Sequence, residues 1–357
     1  MNMRKTMRYY ITHRTTCIYE SSVTVCHYMA RLMPRSLPSQ QCPWHEITIH
    51  PKPIERAVRE DYFGNITVYF ELEGAHQKLE VISSSLVEIG AAVLPGPSST
   101  PPWEQVRNAC RADTLTPASS AGEFVFASPL IVPAQRYAEY AAPSFAPGRP
   151  ILEAVCDLNH RINRDFVFDP TATDAATPID KVFSQRRGVC QDFAQVLIAC
   201  LRSLSLPARY VSGYLETIPP PGKARLVGAD ASHAWASVWC GDHAGWIDAD
   251  PTNAVLPSTR HITVAWGRDF SDVSALRAVT LGAGAQRLTV AVDVVPDLDS
   301  RCAMAFRSEP ALPASGPRCG SPSACRGLRG RRRHPSSEAL PRPAECGRRA
   351  RWRFHIH

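Results

Sequence analysis

Between Met7 and Ile89, apolar residues recur at every second position in several short runs. Ile66, Val68, Phe70 and Leu72 share one face of ITVYFEL, and KLEVISSSLVEI (Lys78 to Ile89) reads as a strand pair or one long bent strand. RYYITHRTTCIYE, SVTVCHYMARLMPR and HEITIHPKP add three more strands, and DYFGN (Asp61 to Asn65) has the composition of a turn between two strands. This pattern predicts an all-β domain over residues 7–95, a sandwich or something similar. AAVLPGPSSTPP then reads as linker, and the period changes. Trp103, Val106 and Cys110 repeat at helical spacing, and a short aromatic run follows at 134–142. Residues 96–150 are therefore expected to be a linker with short helices.

Ile151, Leu152, Val155, Leu158 and Ile162 form a clear helical stripe behind Pro150, a residue suited to a first turn. Thr177 to Asp180 reads as the cap of a short helix running to about Gln185. In RRGVCQDFAQVLIACLRSLSLPARYVSGY the apolar positions Phe193, Val196, Leu197, Cys200, Leu201 and Leu204 make another stripe, ended by Pro207. Strands return at ARYVSGY, SHAWASVWC, GWIDADPTN, around His261 to Trp266, and at QRLTVAVDVVP. Helices followed by strands predict an α+β core over residues 151–296 rather than a parallel, doubly wound sheet.

Composition changes the picture at one end only. Of 40 Lys and Arg, thirteen arginines lie beyond residue 296, against five of the 33 acids, so the body of the chain is close to neutral. Such a body does not suggest a nucleic-acid surface. Residues 297–357 are rich in Arg, Pro, Gly, Ser and Ala without a hydrophobic period, which predicts a disordered basic tail. The abrupt change of text also resembles a GC-rich gene read in a shifted frame. Twelve cysteines include no C-x-x-C pair, which leaves out zinc-ribbon and thioredoxin motifs. The first residues carry no apolar signal region and no run approaches the ~18 residues of a membrane span. A reducing cytoplasm, no membrane partner, no metal and no cofactor are the resulting expectations.

The candidate chemistry begins at Cys190. Its thiol stands where loop becomes helix, and Gly188 ahead of it allows a tight turn. Unpaired backbone N–H groups and the positive end of the helix dipole favour a thiolate there. Taken alone, Cys190 is as well explained as a small core residue. His233 opens the SHAWASVW strand and Asp250 closes GWIDADP. If the two strands form a hairpin with Cys240 opposite Gly245, Trp235 lies opposite Asp250. His233, Trp235, Asp248 and Asp250 then share a face, with His233 diagonal to Asp250. A one-residue slip would send His233 to the other face, and Asp248 is the second candidate to orient it. A metal site from Cys240, His243, Asp248 and Asp250 is the weaker reading, because a turn at GDHA accounts for the spacing.

RRGVCQDFA, LPARYVSGY, ADASHAWASVW and GWIDADPTN, in this order, resemble the transglutaminase-like superfamily. The likeness is to its bacterial branch of cysteine-protease-like proteins with an N-terminal β-domain. HYMARLMPR (His27 to Arg35), DYFGN and GRDFSDVSAL fit the same branch, so that the resemblance covers residues 7–296. It implies a papain-like core with Cys190 as nucleophile, His233 as general base and acid, and Asp250 as the residue orienting it. It also implies an oxyanion site at the Cys190 backbone N–H, with Gln185 as candidate side-chain donor, and Trp235 and Trp246 as walls of the acyl site. Gln195 stands where branch members often carry histidine. The implied activity is thiol-dependent acyl transfer on a peptide or glutamine amide, with water or an amine as acceptor. A non-catalytic peptide-binding module on the same fold is the alternative.

Overall fold

The computed structural model describes residues 6–111, 117–217, 232–281, 285–297 and 354–356. The N-terminal alternation builds four strands: β1 (Met7–Ala30), β2 (Gln40–His50), β3 (Glu55–Glu60) and β4 (Ile66–Ile89). Each pair of runs at the two ends fuses into one 24-residue strand, β1 and β4. They run antiparallel along almost their whole length, with register shifts between Ile18 and Val25. Nine residues of straight strand would separate Tyr19 from Tyr28 by about 30 Å. Their hydroxyls instead meet at 2.7 Å, so the ribbon bends back at the register shift and closes a core on itself. Phe70 stacks on Tyr28 at 4.8 Å within that core.

The helical region holds α1 (Trp103–Cys110), α2 (Pro117–Ala121), α3 (Gln135–Ala141), α4 (Ile151–Asp165), β5 (Val167–Phe168), α5 (Ile179–Gln185), β6 (Arg187–Gly188) and α6 (Cys190–Ser203). The short helices expected in the linker over 96–150 are α1, α2 and α3, but the segment is not a loose connection. Val106, Ile131, Tyr137 and Ala141 are buried in the same core as α4 and α6, so this segment packs as part of the helical layer. Helix α6 is central and is buried on more than its predicted stripe, with Ala194, Ile198, Ala199 and Arg202 also enclosed. The buried Arg202 guanidinium is satisfied by the carbonyls of Ala208, Arg268 and Phe126 and by Ser128 Oγ.

A second sheet follows, from β7 (Ala208–Leu215), β8 (Ser232–Trp239), β9 (Trp246–Ala249) and β10 (His261–Gly267) in the antiparallel order β10-β7-β8-β9. Its Ala208, Tyr210, Ala234, Ala236 and Val238 share the core with α6. After α7 (Phe270–Val273) the chain returns to the first sheet, where β11 (Leu276–Leu281) and β12 (Gln286–Pro296) both pair with β1. The boundary of the core at residue 296 is thereby corrected: residues 276–296 complete the β-domain, and the core is inserted into it. The tail expectation falls mostly on residues outside those described. Its described part, β13 (Phe354–Ile356), pairs with β11.

The two parts meet around His13, whose ring contacts Thr15 Oγ1 at 2.9 Å and the Tyr214 hydroxyl at 3.1 Å. Burial pushes its pKa down to about 4, so the folded chain holds it neutral. An unfolded histidine takes up a proton near pH 6.5. Stability is therefore expected to be full above about pH 6.5 and to fall as the pH drops towards 4. Urea titrations across this range should show a shallower fall for His13→Asn.

Candidate active site

Cys190 is the first residue of α6 and is partly exposed. The turn before it is fixed by Asp192, which accepts the Val189 N–H at 2.8 Å and the Thr173 hydroxyl at 2.6 Å. Burial pushes the pKa of Asp192 up, against these two hydrogen bonds. Gly188 has a steric reason as well. A Cβ there would stand 2.4 Å from Asp192 Oδ2 and 2.8 Å from Asp192 Cβ, so only glycine leaves room for the capping carboxylate.

The hairpin has the register expected from the Cys240–Gly245 turn. Trp239 lies opposite Trp246, Ser237 opposite Asp248 and Ala236 opposite Ala249, and the Cys240 N–H donates to the Gly245 carbonyl at 2.8 Å. The same diagonal step is used twice. Trp235 Nε1 donates to Asp248 at 2.9 Å, and His233 Nε2 meets Asp250 Oδ2 at 2.8 Å. Asp248 is thus committed to the indole, and Asp250 is the partner of His233. With Nε2 engaged, Nδ1 is the ring nitrogen left to face the Cys190 thiol, which lies close enough to help raise the His233 pKa.

Asp250 is fully buried and takes five donors. Oδ1 accepts the backbone N–H groups of Thr252 and Asn253, the geometry of an aspartate turn, while Oδ2 accepts the Asn253 amide and two imidazoles. The second imidazole is His261, which opens β10 and lies 3.1 Å from Oδ2. Burial works against the Asp250 charge, but the two histidines and Asn253 hold its carboxyl well below the usual range. Burial likewise opposes a charge on His233. The bonds and charges of Asp250 and Cys190 outweigh it and raise the His233 pKa to about 10.

His233, Asp250 and His261 hold their ligand-type atoms within 4.8 Å of one another. An ionised carboxylate between two N–H donors accounts for that cluster without a metal. The weaker metal reading does not assemble, since Cys240 is buried and directed at the Val238 carbonyl while His243 is exposed.

Both tryptophan assignments need correction. Trp235 is fully buried, its ring tilted against His233 at 5.9 Å and set edge-on to His261 at 5.3 Å, so it supports the histidines and offers no surface to a substrate. Trp246 sits opposite Trp239, six residues along β8 from His233, or about 20 Å of strand. Gln185 is exposed at the last position of α5, and no hydrogen bond joins it to Cys190 among the described residues. His261 carries the same signal as His233, a histidine at the start of a strand. Its partner became visible only when the loop after Asp250 brought β10 back beside the site.

Residues 9–88 match the model of the bacterial transglutaminase-like N-terminal region, and residues 139–251 match that of the transglutaminase-like superfamily core. An uncharacterized protein of Mycobacterium tuberculosis is 43% identical over 297 residues, covering 82% of this chain and 93% of its own. The chain belongs to the transglutaminase-like superfamily. An uncharacterized protein of Mycobacterium leprae is 32% identical over 289 residues, covering 80% of this chain and 97% of its own. Among solved structures, "a Putative Cysteine Protease from Cytophaga hutchinsonii" superposes with a TM-score of 0.65 at 20% identity, over 83% of this chain and 92% of that one. The likeness to that structure is one of fold. No described helix is long and apolar enough to cross a membrane.

Proposed function

We propose that this transglutaminase-like chain is a thiol-dependent acyl transferase acting on a peptide or glutamine amide, with water as the usual acceptor. The observation that carries the reading is the His233–Asp250 contact at 2.8 Å, on an imidazole whose pKa Asp250 and the Cys190 thiol together raise against burial. Cys190 is the nucleophile. Its sulfur attacks the amide carbonyl, and the oxygen that gains charge faces the unpaired N–H groups at the start of α6. His233 then delivers a proton from Nδ1 to the departing amine, and the C–N bond breaks to leave a thioester on Cys190. Water enters, gives a proton back to Nδ1 and its oxygen to the carbonyl carbon, and the acid leaves with the thiolate restored. An amine entering in place of water would give transfer by the same steps. Asp250 does not take the proton; it holds the ring and stabilises the imidazolium.

Trp235 and His261 are positioning residues, one beneath the His233 ring and one on the far side of the shared carboxylate. The proposed setting is the cytoplasm, with peptides or proteins as substrates. A peptide-binding module on this fold would have no need of a buried carboxylate tied to two histidines. Labelling with a biotinylated iodoacetamide, located by peptide mass spectrometry, tests the reading. Cys190 should react at least about tenfold faster than the other thiols of the described residues, because the burial that pushes up the pKa values of Cys17, Cys110, Cys200 and Cys240 suppresses their thiolates. His233→Ala should abolish that advantage. Equal reactivity of Cys190 in the wild type and the His233 variant would refute the pairing.

A further inference from the structure

At the end of the second sheet remote from Cys190, a cavity of about 350 Å³ opens between the 61–65 turn, α2 with the turn after it, and β7–β10, lined by Phe124, Trp239, Trp246, Trp266 and Arg209 among others. Its wall is a ladder of alternating cations and indoles. Arg35 stacks on Trp266 at 3.5 Å, Arg209 stacks on the same indole at 3.7 Å, and Arg209 also lies 4.3 Å from the Trp246 ring. Trp239 meets Trp246 edge-on at 5.7 Å, and Phe124 does so at 5.3 Å.

Two donors of this wall, Arg209 Nε and Trp239 Nε1, are unspent. Arg35 donates to Asn65, but Arg209 makes no hydrogen bond and no ion pair within 4 Å among the described residues. Its Nε is buried without an acceptor. Asp248, the acid that acts on it, gives a carboxylate oxygen to Trp235 instead. Trp239 is 6% exposed, and its Nε1–H is likewise buried without an acceptor. Buried donors of this kind are nearly always paired in folded chains. A stacked guanidinium is also pre-organised, since its plane and fork are fixed before a ligand arrives.

We propose that this cavity is a binding site for a monocarboxylate carried on an aromatic ring. The carboxylate meets the Arg209 fork, and the ring enters among Trp246, Trp239 and Phe124. Arg209 is the cation among the residues lining the cavity, and one cation suits a single negative charge. A phosphate dianion would face Glu123 at the rim, which accepts the Tyr62 hydroxyl at 2.7 Å. A cationic ligand would face Arg209. The volume suits a small acid or the last residue of a peptide. The site shares no residue with the Cys190–His233–Asp250 group and stands whether or not that group transfers acyl chains.

Three tryptophans line the cavity, so their fluorescence reports on it directly. Titration of the full chain with phenylacetate should quench it saturably. Phenylacetamide, which keeps the ring and loses the charge, should bind at least tenfold more weakly, and acetate should give no response over the same range. Arg209→Leu should remove phenylacetate binding, and Cys190→Ala should keep it. A peptide ending in a free phenylalanine, compared with its C-terminal amide, separates the two sources: tighter binding than phenylacetate assigns the site to chain ends, and weaker binding to free acids. Equal responses to phenylacetate and phenylacetamide, or no response to either acid, would overturn the proposal without any variant having to fold.

Discussion

Exchanging Asp250 for asparagine is expected to lower turnover of an amide substrate by about three to four orders of magnitude, as loss of the orienting carboxylate does in other triads. The volume is kept, so the effect is electrostatic. Asp250 Oδ2 accepts from His233, His261 and Asn253, and an amide in its place must turn either its carbonyl or its NH₂ towards them. The anion that keeps the His233 imidazolium is lost in both cases. The pH profile supplies the readout that a merely structural role would not move. Asp250 and Cys190 raise the His233 pKa to about 10, so the protonated ring persists at neutral pH and is lost as pH rises through that value. The alkaline limb of kcat in the wild type should lie there, and in Asp250→Asn it should move to lower pH. An unmoved limb with full activity would remove Asp250 from the mechanism. The same shift makes the ion pair a contribution to stability that is present below the unfolded histidine pKa and lost as pH passes about 10.

Gly213→Ala is expected to be the most damaging single change to the fold near the site. A Cβ at this position would lie 2.1 Å from the Ile262 carbonyl oxygen and 2.6 Å from the Trp235 ring. Neither obstacle is the free end of a flexible side chain. The carbonyl belongs to the β7–β10 pairing, and the indole is enclosed and tied to Asp248. Overpacking usually costs about 1–3 kcal/mol, and a clash with backbone lies at or above the top of that range. Gly213 also lies directly opposite His233 on β8, so relief of the clash displaces the base. Urea denaturation should show a midpoint lowered accordingly, with thiol labelling at Cys190 reduced in the fraction that remains folded. A variant of wild-type stability would show that the sheet yields here more easily than its packing implies.

Much of this site was legible in the chain because its geometry is local. The GDHA turn pins Cys240 to Gly245, every later pair in the hairpin follows by counting, and the diagonal from His233 to Asp250 is a consequence of that count. Asp248 and Asp250 share that face, two residues apart, and the register fixed by the turn places Asp250 on the diagonal from His233. The helix of Cys190 was equally plain, since an apolar stripe and Pro207 bound it.

What escaped was set by long-range pairing. The alternation of QRLTVAVDVVP identifies a strand but not its neighbour, and the neighbour is β1, more than 250 residues earlier. His261 escaped for the same reason, because β10 lies beside β7 and reaches Asp250 through a returning loop. Trp235 and Trp246 alternate on one face, yet six residues of strand separate the histidine from the second of them, and burial seals the first. Composition misled at 96–150, where Pro and Ala conceal anchors such as Ile131 and Tyr137.

The late pairing of β11 and β12 with β1 also sets an order of events at the ribosome. β1 is among the first segments to emerge, but the strands that cover its outer side come after the whole core has been translated. At about 5–20 residues per second, that margin stays bare for roughly a quarter to most of a minute. An open strand margin of 24 residues invites sticking to other nascent chains. Truncation before residue 276 would make that temporary state permanent, and such a product should precipitate even though its core is whole.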